Sequence, residues 1–238
     1  MGGGTLEDRL GEVYRRLFAR FGPRRWWPAE SPFEVIVGAI LTQSAAWINV
    51  EKAIGSLKRA GALSPERLRA IPEPELARLI HACGYHNSKA RKLKAFVRWL
   101  GEGYQDSLEK LFAGETSELR PRLLAVYGVG EETADSILLY AGGKPVFVID
   151  AYTRRIMARL GLRPDKADYA GFQRMFMDSL PADARLFNEY HALLVELGKN
   201  LCRPRPRCPE CCLEDICPSS GQLINPAQSD KLSARKQP

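Results

Sequence analysis

Four cysteines crowd sixteen residues towards the end of the chain: Cys202, Cys208, Cys211 and Cys217, spaced Cys-x5-Cys-x2-Cys-x5-Cys. Clustering of this kind, in a chain whose start reads as no signal peptide, argues for a metal centre over disulfides. Four thiolates in one compact loop are the donor set for a tetrahedral zinc or for a [4Fe–4S] cluster, and spacing alone does not choose between them. Cys212 is an adjacent spare, and Cys83 reads as a core residue. Between the first two ligands Arg203, Arg205 and Arg207 alternate with prolines. Proline stiffens such a loop and arginine grips phosphate, although a solvated basic loop would look the same.

Two further segments offer chemistry. The run 123–139 reads as helix, a tight Gly128-Val-Gly130 turn, then helix. Both glycines permit positive φ, and Val129 reads as an apolar plug. A helix opening near Glu131 presents free N–H groups that bind phosphate without reading sequence, unless the turn is a plain packing corner. Twenty residues after Gly130, Asp150 ends the apolar run Val146-Phe-Val-Ile149 and opens another helix. The helix dipole favours its ionised form. A fixed carboxylate can stabilise positive charge that develops beside it; the plainer role is a helix N-cap. Trp27 reads as a core residue. His81, His86 and His191 form no ligand spacing and read as surface or core positions.

The elements that must position these groups are helical almost throughout. Ser31-Pro-Phe-Glu34 is a capping box with proline at the first helical position, followed by the apolar stretch Val35–Leu41. Ser64-Pro and Pro72-Glu open short helices. Residues 87–100 form a basic amphipathic helix carrying Lys89, Arg91, Lys92 and Lys94. Pro145–Ile149 is strand-like but isolated, so no sheet is expected. Helices follow over 151–160 and 182–197. The chain of 238 residues holds one large domain or two small ones, and its net charge of +7 suits a polyanionic partner. No apolar run is long enough to span a bilayer, which points to a cytoplasmic protein.

Val126-Tyr-Gly-Val-Gly-Glu-Glu-Thr-Ala134 resembles the helix-hairpin-helix of the endonuclease III family, Leu-Pro-Gly-Val-Gly-x-Lys-Thr-Ala. Tyr127 replaces the proline, and Glu132 stands where that family carries its lyase lysine. The stretch 146–156 is similar to the superfamily's Val-Asp-x-x-x-x-Arg, which puts the catalytic aspartate at Asp150. The cysteine pattern resembles that family's Cys-x6-Cys-x2-Cys-x5-Cys, one residue shorter, and implies a [4Fe–4S] cluster. From Trp26 to Gly161 the closer likeness is to the bacterial 3-methyladenine DNA glycosylase III family. It shares Trp-Trp-Pro, Gly-Ala-x-Leu-Thr-Gln, a Gly-Tyr-x-Asn-x-Lys-Ala motif matched by residues 84–90, and a glutamate at position 132. That family lacks the cysteine cluster.

The resemblance implies an all-α, two-lobed helix-hairpin-helix glycosylase fold with a C-terminal [4Fe–4S] loop. Its expected parts are an N-terminal helix (1–30), a helical barrel with the hairpin (31–143), C-terminal helices with the cluster loop (144–218) and a disordered tail (219–238). Between the lobes a cleft is expected, with Asp150 on one wall and the tryptophans on the other. The expected partner is double-stranded DNA containing damaged bases, bound by a monomer. Trp26, Trp47 and Glu132 would line the base pocket. Gln43, or Ser44 beside it, would fill the stack left by the flipped base. Gly128, Gly130, Thr133, Arg203, Arg205 and Arg207 would hold the DNA backbone. Because glutamate cannot form a Schiff base, the expected activity is monofunctional excision of alkylated purines such as 3-methyladenine. The alternatives are excision of damaged pyrimidines or mismatches, with Lys144 as a possible lyase amine, and a non-catalytic DNA-binding or redox-sensing module.

Overall fold

A computed structural model describes residues 4–220 of the chain, so most of the tail expected at 219–238 lies outside the described residues. These residues fall into two compact units. One runs continuously over 27–146, and the other joins 4–26 to 147–220. No strand occurs among the described residues, and 144–150 belongs to no helix or strand.

The discontinuous unit begins with α1 (Leu6–Phe21), started by a capping box: Thr5 Oγ1 accepts from Asp8 N and the Asp8 carboxylate accepts from Thr5 N. One face of α1 buries Leu10, Val13 and Leu17.

The continuous unit is built around α2 (Pro32–Leu41), whose residues 33–41 are all buried. A helix apolar on every side must be enclosed, and α3 (Trp47–Arg59) packs against it. Ser31 caps α2 as expected, its Oγ accepting from Glu34 N at 3.2 Å. The box is not reciprocal, however. Glu34 accepts from Glu30 N, one residue further out, and pairs with Lys58 at 3.0 Å. The buried carboxylate thus finds a cation that lies 24 residues away.

Next come α4 (Pro65–Ala70), α5 (Glu73–Leu79) and the long α6 (His86–Tyr104). Gly84 at φ +64 and Tyr85 at φ +45 turn the chain into α6. The basic face expected on α6 is largely turned inward. Lys89 is buried and donates to Leu41 O at 2.9 Å and Cys83 O at 2.8 Å; Lys94 donates to Arg69 O and Ile71 O. Ammonium groups satisfy the carbonyls that helix C-termini leave without partners.

The unit closes with α7 (Leu108–Phe112), α8 (Thr116–Leu124) and α9 (Glu131–Ser136), the last running on into a π-helical turn over Ile137–Ala141. The chain then re-enters the discontinuous unit, where α10 (Ala151–Arg159), α11 (Tyr169–Met177) and α12 (Ala184–Asn200) complete it. Phe147 and Phe176 stack at 3.9 Å, and Phe187 and Tyr190 meet Phe147 edge-on. The Tyr190 hydroxyl donates to Leu10 O at 2.8 Å, joining α12 to α1.

Candidate functional site

Asp150 is the N-cap of α10. Its backbone is extended (φ −101°, ψ −179°), and Oδ1 accepts from Thr153 N at 2.7 Å. The apolar run before it, Val146 to Ile149, is buried, so the carboxylate is delivered at the end of a clamped segment. Asp150 itself is buried too, at 9 % exposure. Its Oδ2 lies 3.8 Å from His191 Nε2 on α12. Burial pushes the His191 imidazole below its ordinary pKa while Asp150 pulls it up, so the ring is neutral at neutral pH. Sequence reading found Asp150 but gave His191 no role. Forty-one residues separate the two, and no local pattern signals the contact.

In the other unit, α8, the turn and α9 form the hairpin. Gly128 takes φ +82°, as expected, and a Cβ there would stand 2.3 Å from Lys92 Cγ. Gly130 is different: it adopts φ −94°, ordinary extended backbone, with nothing within 4 Å of a Cβ. Val129 is buried in the core. The two helices are clamped by Arg120, whose Nε and Nη2 donate to the two oxygens of the fully buried Asp135 at 2.7 and 3.1 Å. Sequence reading missed this pair. A charge on the inward face of α9 is its only local trace.

Gln43 lies in the loop after α2, and both ends of its amide are engaged. Nε2 donates to Gly128 O and to Thr133 Oγ1, each at 2.9 Å, and Oε1 accepts from Lys92 Nζ. The Thr133 hydroxyl is therefore used inside the protein. Ser44, next in the loop, is exposed and takes φ +52°.

Trp47 opens α3 and is half-buried. Its ring meets Trp27 edge-on at 5.3 Å, and Trp27 in turn lies 5.3 Å from Tyr140 in the π-helical turn. Trp27 packs flat enough over α2 that a Cβ on Gly38 would stand 3.1 Å from its Cζ2. Tyr140 joins this aromatic group without having been singled out in the sequence. Trp26 is half-buried and belongs to the unit that holds Asp150. Glu132 is exposed on the first turn of α9, and Lys144 is half-buried.

The cysteine loop hangs from α10. Arg155 donates to Cys202 O and Gly198 O, and Arg159 to Cys202 Sγ at 3.3 Å, Arg203 O and Pro204 O. From the other side, Arg16 on α1 bonds Asp215 at 2.6 Å. No cysteine forms a disulfide. Burial pushes the Cys208 and Cys217 thiols up, and the sulfurs of Cys202 and Cys211 push the same way, so the four lie within one another's field. Even so, no three His, Cys, Asp or Glu side chains among the described residues gather tightly enough to hold one ion. Cys212 sits beside Cys211, sharing a hydrogen bond with it. Arg203, Arg205 and Arg207 are exposed, with no side-chain bond or ion pair among the described residues. No helix there is long and apolar enough to cross a membrane.

The chain as a whole is similar to known proteins. A protein of Methanocaldococcus jannaschii assigned as a DNA repair glycosylase is 42% identical over 211 residues, covering 88% of this chain and 96% of its own. Endonuclease III of Thermotoga maritima is 30% identical over 213 residues, 87% of this chain and 92% of that one. The crystal structure of the H. pylori 3-methyladenine DNA glycosylase MagIII bound to 1,N6-ethenoadenine superposes with a TM-score of 0.71 at 27% identity, covering 82% of this chain and 98% of that chain. Residues 37–182, from within α2 to just before α12, match the family described as HhH-GPD superfamily base excision DNA repair protein. With hairpin, capped aspartate and more than half its length inside that match, the chain belongs to the HhH-GPD superfamily of base excision DNA repair proteins.

Proposed function

We propose that the protein is a monofunctional DNA glycosylase that hydrolyses the N-glycosidic bond of flipped alkylated purines such as 3-methyladenine. The observation that carries this reading is the buried carboxylate of Asp150, fixed by a helix N-terminus and set beside a neutral partner. As the C1′–N bond breaks, the bonding pair leaves with the base and cancels its positive charge. The sugar becomes cationic, and a preorganised carboxylate stabilises that charge. Water then adds to C1′ and gives up a proton. A base already cationic needs little acid catalysis, and indole faces such as those of Trp26 and Trp47 attract it.

The hairpin turn and the three exposed arginines of the cysteine loop are the backbone-holding parts of this reading. Hydrolysis without lyase chemistry is supported by Glu132, since the turn and first helical residues 125–136 contain no lysine. The likeness to a 3-methyladenine glycosylase favours the substrate class.

The four cysteines fit a [4Fe–4S] cluster: four thiols in one loop lie within one another's field, and their spacing is one residue short of the endonuclease III pattern. Cys202, Cys208, Cys211 and Cys217 would hold it. When bound, the cluster supplies a positive, structural centre that offsets four thiolates and stiffens the arginine loop.

The same loop favours a second reading, an endonuclease-III-like enzyme for damaged pyrimidines, since a relative so named matches over most of the chain. The test is mass spectrometry of free bases released from dimethyl-sulfate-methylated duplex, comparing wild type with Asp150→Asn. Asparagine keeps the helix cap but not the charge, so release of 3-methyladenine should fall about 100-fold or more at unchanged stability. Release of thymine glycol from an oxidised duplex assayed in parallel, with no release of methylated purines, or borohydride trapping of a covalent adduct, would establish the second reading.

A further inference from the structure

His191 is used by none of these roles, although it is buried at 6 % exposure against the residue on which the chemistry turns. Thr153 N holds Asp150 Oδ1, which leaves Oδ2 to face His191 Nε2 at 3.8 Å. The geometry around the pair is rigid. α12 is held in register by the Tyr190 hydroxyl on Leu10 O. It also meets α10 closely at Gly198, where a Cβ would stand 2.6 Å from that of Tyr152, and Arg155 donates to Gly198 O at 3.0 Å. Over the imidazole, the Phe147 ring stands nearly perpendicular at 6.4 Å. Of the elements packed here, α10 brings the charge of Asp150, the extended segment brings Phe147, and α12 itself brings Tyr190, which points to Leu10. Asp150 is the charged group whose field reaches His191.

We propose that His191 is the positioning residue of Asp150, fixing from α12 the rotation of the carboxylate and leaving its negative charge whole for the sugar. The inference rests on the reading of Asp150 given above. A protonated imidazole at this distance would cancel the carboxylate and withdraw its stabilisation of the sugar cation. A hydrocarbon would remove the polar group that faces Oδ2 and free the carboxylate to rotate. A neutral ring carrying its proton on Nε2 directs a dipole at Oδ2 and adds no charge.

The chain has three histidines, so imidazole resonances can be assigned and followed by 1H–15N NMR. In the Asp150→Asn protein the midpoint of His191 should fall by about half a unit or more, because the carboxylate that raises it is gone. An unchanged midpoint overturns the proposal, and this readout needs no substrate. Single-turnover base release is then measured on dimethyl-sulfate-methylated and thymine-glycol duplexes. His191→Leu should slow release about 10- to 100-fold with unchanged DNA affinity. His191→Gln, an amide donor that does not titrate, should recover most of the rate with the acid limb moved to lower pH. If Leu prevents folding, the Gln variant and the NMR midpoint still decide. A folded His191→Leu with wild-type rate and profile, beside an inactive Asp150→Asn, overturns the role of His191 alone. An active Asp150→Asn overturns the reading of Asp150 itself.

Discussion

Gln43 has both ends of its amide occupied, by Gly128 O and Thr133 Oγ1 on one side and Lys92 on the other. A side chain free to enter a base stack would cost nothing to remove. This one ties the loop after α2 to the hairpin, so Gln43→Ala should destabilise the protein by about 1–3 kcal/mol in urea titrations, since a partly buried carbonyl and an ammonium lose their partners. Unchanged stability would contradict these contacts. Such pairings explain where sequence reading ran out. The cap of Asp150 was legible because its partner is three residues away. The partners of Gln43 lie 85 and 90 residues off in the hairpin, and the carbonyl of Leu41 that holds Lys89 lies 48 residues back. Chemical type alone makes glutamine and lysine look like surface groups.

The hairpin shows the same division at the level of an element. Its turn and both helices were readable, because glycine spacing and the start of α9 are local. Which glycine bears the strain was not, because that depends on Lys92 lying across Gly128. Gly128→Ala should therefore cost about 1–2 kcal/mol from its left-handed backbone alone, with more as Lys92 is displaced. Gly130→Ala should stay neutral or stabilise by up to about 1 kcal/mol. Thermal melts of the two variants check the pair, and equal losses would contradict the geometry. The cysteine loop makes a different prediction. Arg205 has no side-chain partner among the described residues, so Arg205→Ala should reduce the slope of log affinity against log salt for duplex DNA by about 0.9, with little change in melting. An unchanged slope would return the loop to solvent.

The whole molecule is divided by its chain path, since one unit needs residues from both ends of the sequence. Helix content and the absence of a sheet were evident from periodicity. That α1 completes the core of α12 rests on burial that only the folded chain shows. Leu10→Ala should cost about 2–5 kcal/mol, and hydrogen exchange should speed up in α1 and α12 while α6 keeps its protection. Equal loss in α6 would mean that the units unfold together.

The bond from Tyr190 to Leu10 has a consequence for the newborn chain. At roughly 5–20 residues per second, synthesis separates the appearance of these two residues by roughly ten to forty seconds. Throughout that interval the continuous unit can fold, while α1 waits with Leu10, Val13 and Leu17 uncovered, an amphipathic helix without a mate. Maturation of the carboxylate site and the cysteine loop is thereby deferred until α12 has been made, and until then the waiting helix offers an apolar face for a chaperone to cover.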